Sequence, residues 1–154
     1  MPFYHFDASA IVKRYVDEVG SGWVRAVVDA SAGNVISIAD VTRAEVVSAI
    51  TRRGREGTLD AEMAAESLRT FEADSAIQYR VVPTDYAIVS RAVDLLQQHP
   101  LRAYDAIQLA TVVHANQSLL RYGLPLLVFV SADDDLLAAA GAEGLAAENP
   151  NQHP

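Results

Sequence analysis

Four short runs of apolar and aromatic residues, 3–6, 35–38, 79–82 and 126–130, are separated by longer stretches with helical spacing. Strands this short, alternating with helices, belong to a parallel sheet covered on both faces. After the first run, Ala10, Ile11, Tyr15 and Val19 open a helical pattern. A second helix is predicted over 22–30, closed by Gly33, and a third from Thr42, carrying Val46, Val47 and Ile50 and fraying at 54–57. Residues 60–77 form an amphipathic helix that turns Met63, Leu68, Phe71 and Ile77 toward a core. Further helices are expected over 84–98, 105–119 and 133–140, the last ended by Gly141, with a short edge strand at 144–147. The expected fold is a single three-layer α/β/α domain over residues 1–147, followed by a loose polar tail at 148–154. Crossovers should be right-handed, and a ligand should bind outside the carboxyl ends of the strands.

Composition removes several classes of function. With 154 residues and 51% hydrophobic content, the chain can bury a real core, and it has no run long enough to span a membrane. The absence of cysteine excludes disulfides, thiolate metal sites and cysteine nucleophiles. Together with an N-terminal stretch that lacks the regions of a signal peptide, this predicts a cytoplasmic protein. Twelve basic residues against 20 acidic ones give a net charge of −8, so nucleic acid is not bound by bulk electrostatics and any polyanion must be met locally.

Four acids fall at equivalent places in the pattern: Asp7 at the end of the first strand, Glu45 in the helix after the second, Asp105 at the start of a later helix, and Asp133 just past the last long strand. Topology alone puts Asp7 and Asp133 at one edge of the sheet. Glu45 and Asp105 reach that edge if their helix N-termini abut it. Such a group of carboxylates repels itself unless a cation shares the site, and hard oxygen ligands select Mg²⁺, with Mn²⁺ as the alternative. The competing explanation is helix capping. Thr42-Arg43-Ala44-Glu45 and the segment from Ser131 to Asp134 have the form of capping boxes, and Asp105 has the place of an N-cap.

The segments Tyr4-His5-Phe6-Asp7-Ala8-Ser9-Ala10, Thr42-Arg43-Ala44-Glu45-Val46, Leu101-Arg102-Ala103-Tyr104-Asp105-Ala106-Ile107-Gln108-Leu109-Ala110 and Phe129-Val130-Ser131-Ala132-Asp133, in that order, resemble the four acidic motifs of PIN-domain ribonucleases. The nearest group is the VapC-type toxins of bacterial toxin–antitoxin pairs. The resemblance implies a PIN-like parallel sheet flanked by helices, a Mg²⁺- or Mn²⁺-dependent endoribonuclease, a cognate antitoxin that blocks the site, and a homodimer within a toxin–antitoxin hetero-oligomer. It makes Asp7, Glu45, Asp105 and Asp133 the metal-binding and catalytic acids. Ser9 and Ser131 would orient a carboxylate or a water, and Asp135 is the alternative fourth acid. An antitoxin should offer an arginine to this anionic site, and pack against an apolar face such as that of Val46, Val47 and Ile50.

Other readings have less support. A receiver-type phosphoacceptor needs a lysine near its last strand, and the only lysine is Lys13. A haloacid-type phosphatase needs a carboxylate where Ser9 stands, and no glycine-rich loop follows the first strand as a dinucleotide site requires. A catalytically silent PIN-like binding module, or a phosphohydrolase of another α/β family, remains as the alternative. The histidines lie outside the acidic constellation, with His5 and His114 expected in the core or on a helix surface. Arg52, Arg53 and Arg55 suit either the C-terminal dipole of their helix or a clamp for RNA or a partner. Arg43 and Arg102 flank acids and pair either with them or with substrate.

Overall fold

The computed structural model describes residues 1–154. Five parallel strands run in the order β3-β2-β1-β4-β5: β1 (Phe3–Phe6), β2 (Val35–Ala39), β3 (Arg80–Val82), β4 (Leu127–Val130) and β5 (Ala146–Glu148). The helices are α1 (Ala8–Ile11), α2 (Ser21–Val28), α3 (Asp40–Glu56), α4 (Ala61–Ile77), α5 (Tyr86–Gln98), α6 (Ala103–Arg121) and α7 (Asp134–Ala142). Central β1 is in register with both neighbours, Phe3 opposite Val35 on one side and Leu127 on the other. The chain builds outward from β1 through β2 to β3, then crosses to β4 on the opposite side. The crevice beyond β1 and β4 is therefore a topological switch point, where open α/β sheets bind ligands.

Alternation along the strands divides the core into two. Phe6, Ile36, Ile38 and Val130 pack with Ile11, Val46, Ile50 and Phe71 in one cluster, whereas Leu127 and Phe129 pack with Ile88, Leu95, Leu109 and Leu136 in the other. A sheet with apolar side chains on both faces must be covered twice, and the three-layer α/β/α architecture follows. No helix is long and apolar enough to cross a membrane.

Several local expectations need correction. The helix after β1 stops at Ile11, tightens into a 3₁₀ turn over Val12–Arg14, and leaves Val19 exposed. In α4 the buried positions are Ala64, Phe71 and Ser75, while Met63 and Ile77 face solvent. Val46 and Ile50 are fully buried beneath the sheet, so this face of α3 cannot receive an antitoxin. Gly141 does not end α7, which runs on to Ala142 before Gly144 turns the chain at φ 80°.

The expected loose tail is tied down. Asn149 and Pro150 are buried, and the His153 ring stacks on Trp23 with centroids 4.6 Å apart. The Asn149 amide donates to Asp134 Oδ1 at 2.9 Å. Gly20, at φ 85°, lets the turn before α2 approach this segment: a Cβ there would lie 2.2 Å from the Pro150 carbonyl oxygen.

Candidate active site

Asp7 follows β1 directly, and its backbone N–H still donates to the Val130 carbonyl oxygen, extending the ladder into the crevice. Its carboxylate is bonded from three sides. Oδ1 accepts from Ser9 Oγ at 2.7 Å and from the Ala10 N–H at 3.0 Å, capping α1, and Oδ2 accepts from Ser131 Oγ at 2.6 Å. Ser9 Oγ in turn accepts from the Ala132 N–H, and Ser131 Oγ from the Asp133 N–H. The two serines thus fasten the turn after β1 to the turn after β4. Burial pushes the Asp7 pKa up to about 6; the serine and backbone bonds oppose the rise and the charge of Asp133 adds to it.

Asp133 is the N-cap of α7, with Oδ1 accepting from the backbone N–H groups of Asp135 and Leu136. It lines the cleft; Asp135 is exposed and does not. Glu45 and Asp105 have different roles in their helices. The N-cap of α3 is Ala39, so Thr42 to Glu45 is not a capping box and Glu45 sits in the second turn with no terminus to satisfy. The N-cap of α6 is Arg102, and Asp105 is the third residue of the helix, in its first turn, where a carboxylate also suits the dipole. Capping therefore accounts for part of what Asp7 and Asp133 do and for nothing at Glu45.

These four acids line a single cleft of about 680 Å³, together with Ser9, Gln108, Tyr104, Arg52 and Arg102. Burial raises the Glu45 pKa, assisted by the charges of Asp7 and Asp105 and opposed by a bond from Gln108. Burial also raises that of Asp105, with Asp133 adding to it and Arg102 opposing. Each carboxylate is thus held in its neighbours' field, and like charges in a half-dry cleft call for a cation. The donor set is all hard oxygen and fits a divalent ion such as Mg²⁺ or Mn²⁺. No three of the acids converge into a ready-formed metal cage.

The arginines separate. Arg52 and Arg102 line the cleft, with Arg102 Nε 3.4 Å from Asp105 Oδ2. Arg43 reaches back to Asp40 at 3.7 Å, and Arg53 pairs with Glu18 and donates to the Ala49 carbonyl oxygen. Arg55 lies in the last turn of α3, where a cation suits the dipole. Sequence reasoning gave no role to Gln108 and read Thr42 only as a helix cap: Gln108 Nε2 donates to Glu45 Oε2 at 3.0 Å and to Thr42 Oγ1 at 2.6 Å. The available signal was one amide inside the apolar run of α6, three residues from Asp105 and so on its face.

The family model described as PIN domain matches residues 4–142. No curated protein matches the sequence. Among solved structures, the fold is similar to PAE2754 from Pyrobaculum aerophilum, at TM-score 0.64 and 19% identity over 99% of this chain and 92% of that one. It is also similar to VapBC2 from Rickettsia felis, bound to a DNA fragment from its promoter, at TM-score 0.64 and 12% identity over 96% and 98%. A third likeness is to VapC20 from Mycobacterium tuberculosis, a toxin that cleaves the sarcin–ricin loop, at TM-score 0.62 and 16% identity over 88% and 94%. At these identities the structural likeness speaks to the fold, whereas the family model spans nearly the whole chain and all four acids of the cleft: the chain belongs to the PIN-domain family.

Proposed function

We propose that this protein is an endoribonuclease, dependent on Mg²⁺ or Mn²⁺, that acts as the toxin of a toxin–antitoxin pair. The observation that carries the reading is the convergence of Asp7, Glu45, Asp105 and Asp133 on one cleft at the switch point of a PIN fold, with three of these carboxyls shifted toward neutrality by burial and by one another. Solved toxin structures of the same fold, VapC20 among them, favour RNA as the substrate.

In this reading the four acids hold the cation, with Asp133 rather than Asp135 as the fourth. The cation supplies a Lewis acid at the scissile phosphate. The chain's own residues do the rest. Ser9 and Ser131 hold the Asp7 carboxylate in one orientation across the crevice, and Gln108 does the same for Glu45. Arg52 and Arg102 offset phosphate charge at a site whose surroundings repel RNA. The same anionic cleft suits an antitoxin arginine, whose guanidinium bridges carboxylates in place of a cation. Self-association has a candidate surface in the stripe of Tyr86, Val89, Val93 and Leu96 on α5, all exposed. A silent module, in which the same cleft binds an antitoxin arginine without cleaving RNA, is the second reading.

Purified, antitoxin-free protein should cleave RNA with Mg²⁺ or Mn²⁺ and stop in EDTA, and Asp7→Asn should abolish cleavage while keeping a native circular dichroism spectrum. Cleavage that persists in EDTA or in Asp7→Asn would refute the proposal. Absence of cleavage, with intact binding of a partner, would leave the silent module.

A further inference from the structure

Tyr104 lines the cleft, yet it is 61% exposed and belongs to neither hydrophobic core cluster. Two other exposed tyrosines, Tyr86 and Tyr122, lie outside the cleft. Tyr104 is the second residue of α6 and directly precedes Asp105. Its Cα is therefore about 3.8 Å from that of Asp105, and its side chain leaves the helix about 100° around from that carboxylate. The ring stands beside the acids and not among them. Apart from Glu45 and Arg52, α3 lines the cleft with Val41, Ala44, Ser48 and Ala49, small uncharged side chains that leave it open.

Electrostatics leaves little else to hold a strand of RNA here. The net charge of −8 and the acids of the cleft oppose a polyanion, and the only cations lining the cleft are Arg52 and Arg102. Arg102 already faces Asp105 at 3.4 Å. Two phosphate contacts give a single strand a log–log salt slope of only about −1.4, far from the steep dependence of a basic nucleic-acid site. Neutralising the scissile phosphate does nothing to hold the nucleotides on either side, which need a contact that does not depend on charge. An exposed aromatic ring supplies one, because every base has a π-face, and stacking one base on one ring is worth about 5–150-fold in affinity. Such a contact demands an unstacked base, which a duplex does not offer.

We propose that Tyr104 binds substrate by stacking on the base of an unpaired nucleotide next to the scissile phosphate, which makes single-stranded RNA the form that the cleft takes. The proposal rests on the reading of the cleft as a ribonuclease site. Two probes test it, hexaadenylate RNA and the same ribose–phosphate strand without bases, titrated in Ca²⁺, a cation that all-oxygen sites accept, with the strand checked intact afterwards. Wild type should prefer the hexaadenylate. Tyr104→Ala should lose about 5–150-fold in affinity for it and nothing for the abasic strand, while Tyr104→Phe keeps both affinities. Tyr104→Trp should bind as wild type does, and its fluorescence should be quenched by hexaadenylate and not by the abasic strand. The single natural tryptophan, Trp23, stacks on His153 outside the cleft and supplies the wild-type background. Equal binding of the two strands by wild type, an equal loss for both in Tyr104→Ala, or no quenching in Tyr104→Trp overturns the stacking. Native hexaadenylate affinity in Tyr104→Ala overturns it as well and assigns the ring to a protein partner. If wild type still cleaves RNA in Mg²⁺ or Mn²⁺, these results refute the stacking alone, whereas a wild type that neither binds nor cleaves RNA refutes the ribonuclease reading and the stacking with it.

Discussion

Asp7→Asn should stabilise the metal-free protein near neutral pH even though Asp7 caps a helix. The carboxyl is 5% exposed, and its pKa is raised from 3.8 to about 6, chiefly by burial. A folded-state pKa above the unfolded value means that the folded protein holds the proton more tightly. Its contribution to stability is complete below pH 3.8 and is lost as pH rises through about 6. A shift of that size corresponds to about 3 kcal/mol of stability forgone above the window. Asparagine carries no charge and can keep Oδ1 for Ala10 and Ser9, but it gives up the acceptor for Ser131 at a cost of about 1 kcal/mol. The balance is about 2 kcal/mol in favour of the variant, or about 4–8 °C in Tm for a domain of this size. Differential scanning fluorimetry in EDTA should show that gain near neutral pH and lose it in acid. Excess Mn²⁺ should reverse the order, because at one hundred times Kd a ligand adds about 2.7 kcal/mol to the form that binds it. If Asp7→Asn is instead less stable than wild type at both pH values and Mn²⁺ shifts neither protein, Asp7 is a helix cap and the electrostatic argument for the cleft fails.

Glu45→Gln and Asp105→Asn should each abolish RNA cleavage with a native circular dichroism spectrum; near wild-type rates in either would remove that residue from the proposed machinery. Arg52→Ala and Arg102→Ala should raise KM for RNA more than they lower kcat, because both residues stand at the cleft without lying in its buried part, and steady-state kinetics at fixed salt would show it. Gly20→Ala should cost more than the about 1–2 kcal/mol of a left-handed residue, since its Cβ meets the Pro150 backbone. Gly33→Ala, also at positive φ but with open space at its Cβ, should cost only that amount, and equal melting temperatures for the two variants would contradict the docking of the C-terminal segment.

The layer architecture was legible because each strand that is buried on both faces announces itself as a short apolar run, and Leu127 to Val130 divides its side chains between the two cores as such a run must. Helix termini were less legible, since capping residues occur in sequence more often than they act. Thr42 has the form of a cap and is instead a fully buried partner of Gln108, because α3 begins earlier, at Asp40. Met63 and Ile77 fit the apolar period of α4, yet small Ala64 and Ser75 face the core, since close packing against α3 leaves room for little else: Gly54 lies where a Cβ would come within 3.4 Å of Ala64. The tail reads as loose by composition, and it is held by a stack on Trp23 and an amide bond to Asp134 that no local pattern encodes.

At the site, the same limit takes a sharper form. The acids were legible as an ordered set of four, since singly a carboxylate can be a helix cap, as Asp7 and Asp133 in part are. What holds them was not, because it comes from residues far away in sequence: Ser131 bonds Asp7 across 124 positions, and Gln108 bonds Glu45 across 63. At His5 burial was foreseen and the partner on the neighbouring strand was not. A histidine inside a strand satisfies the pattern of a core residue, but a ring with two polar atoms is costly to bury without partners. Ser37 on β2 answers Nδ1, while Nε2 has no hydrogen-bond partner. Gln108 on α6 likewise ties the buried Thr42 hydroxyl to the Glu45 carboxylate on α3, so the core and the orientation of the cleft's acids are joined by side chains that no local pattern sets.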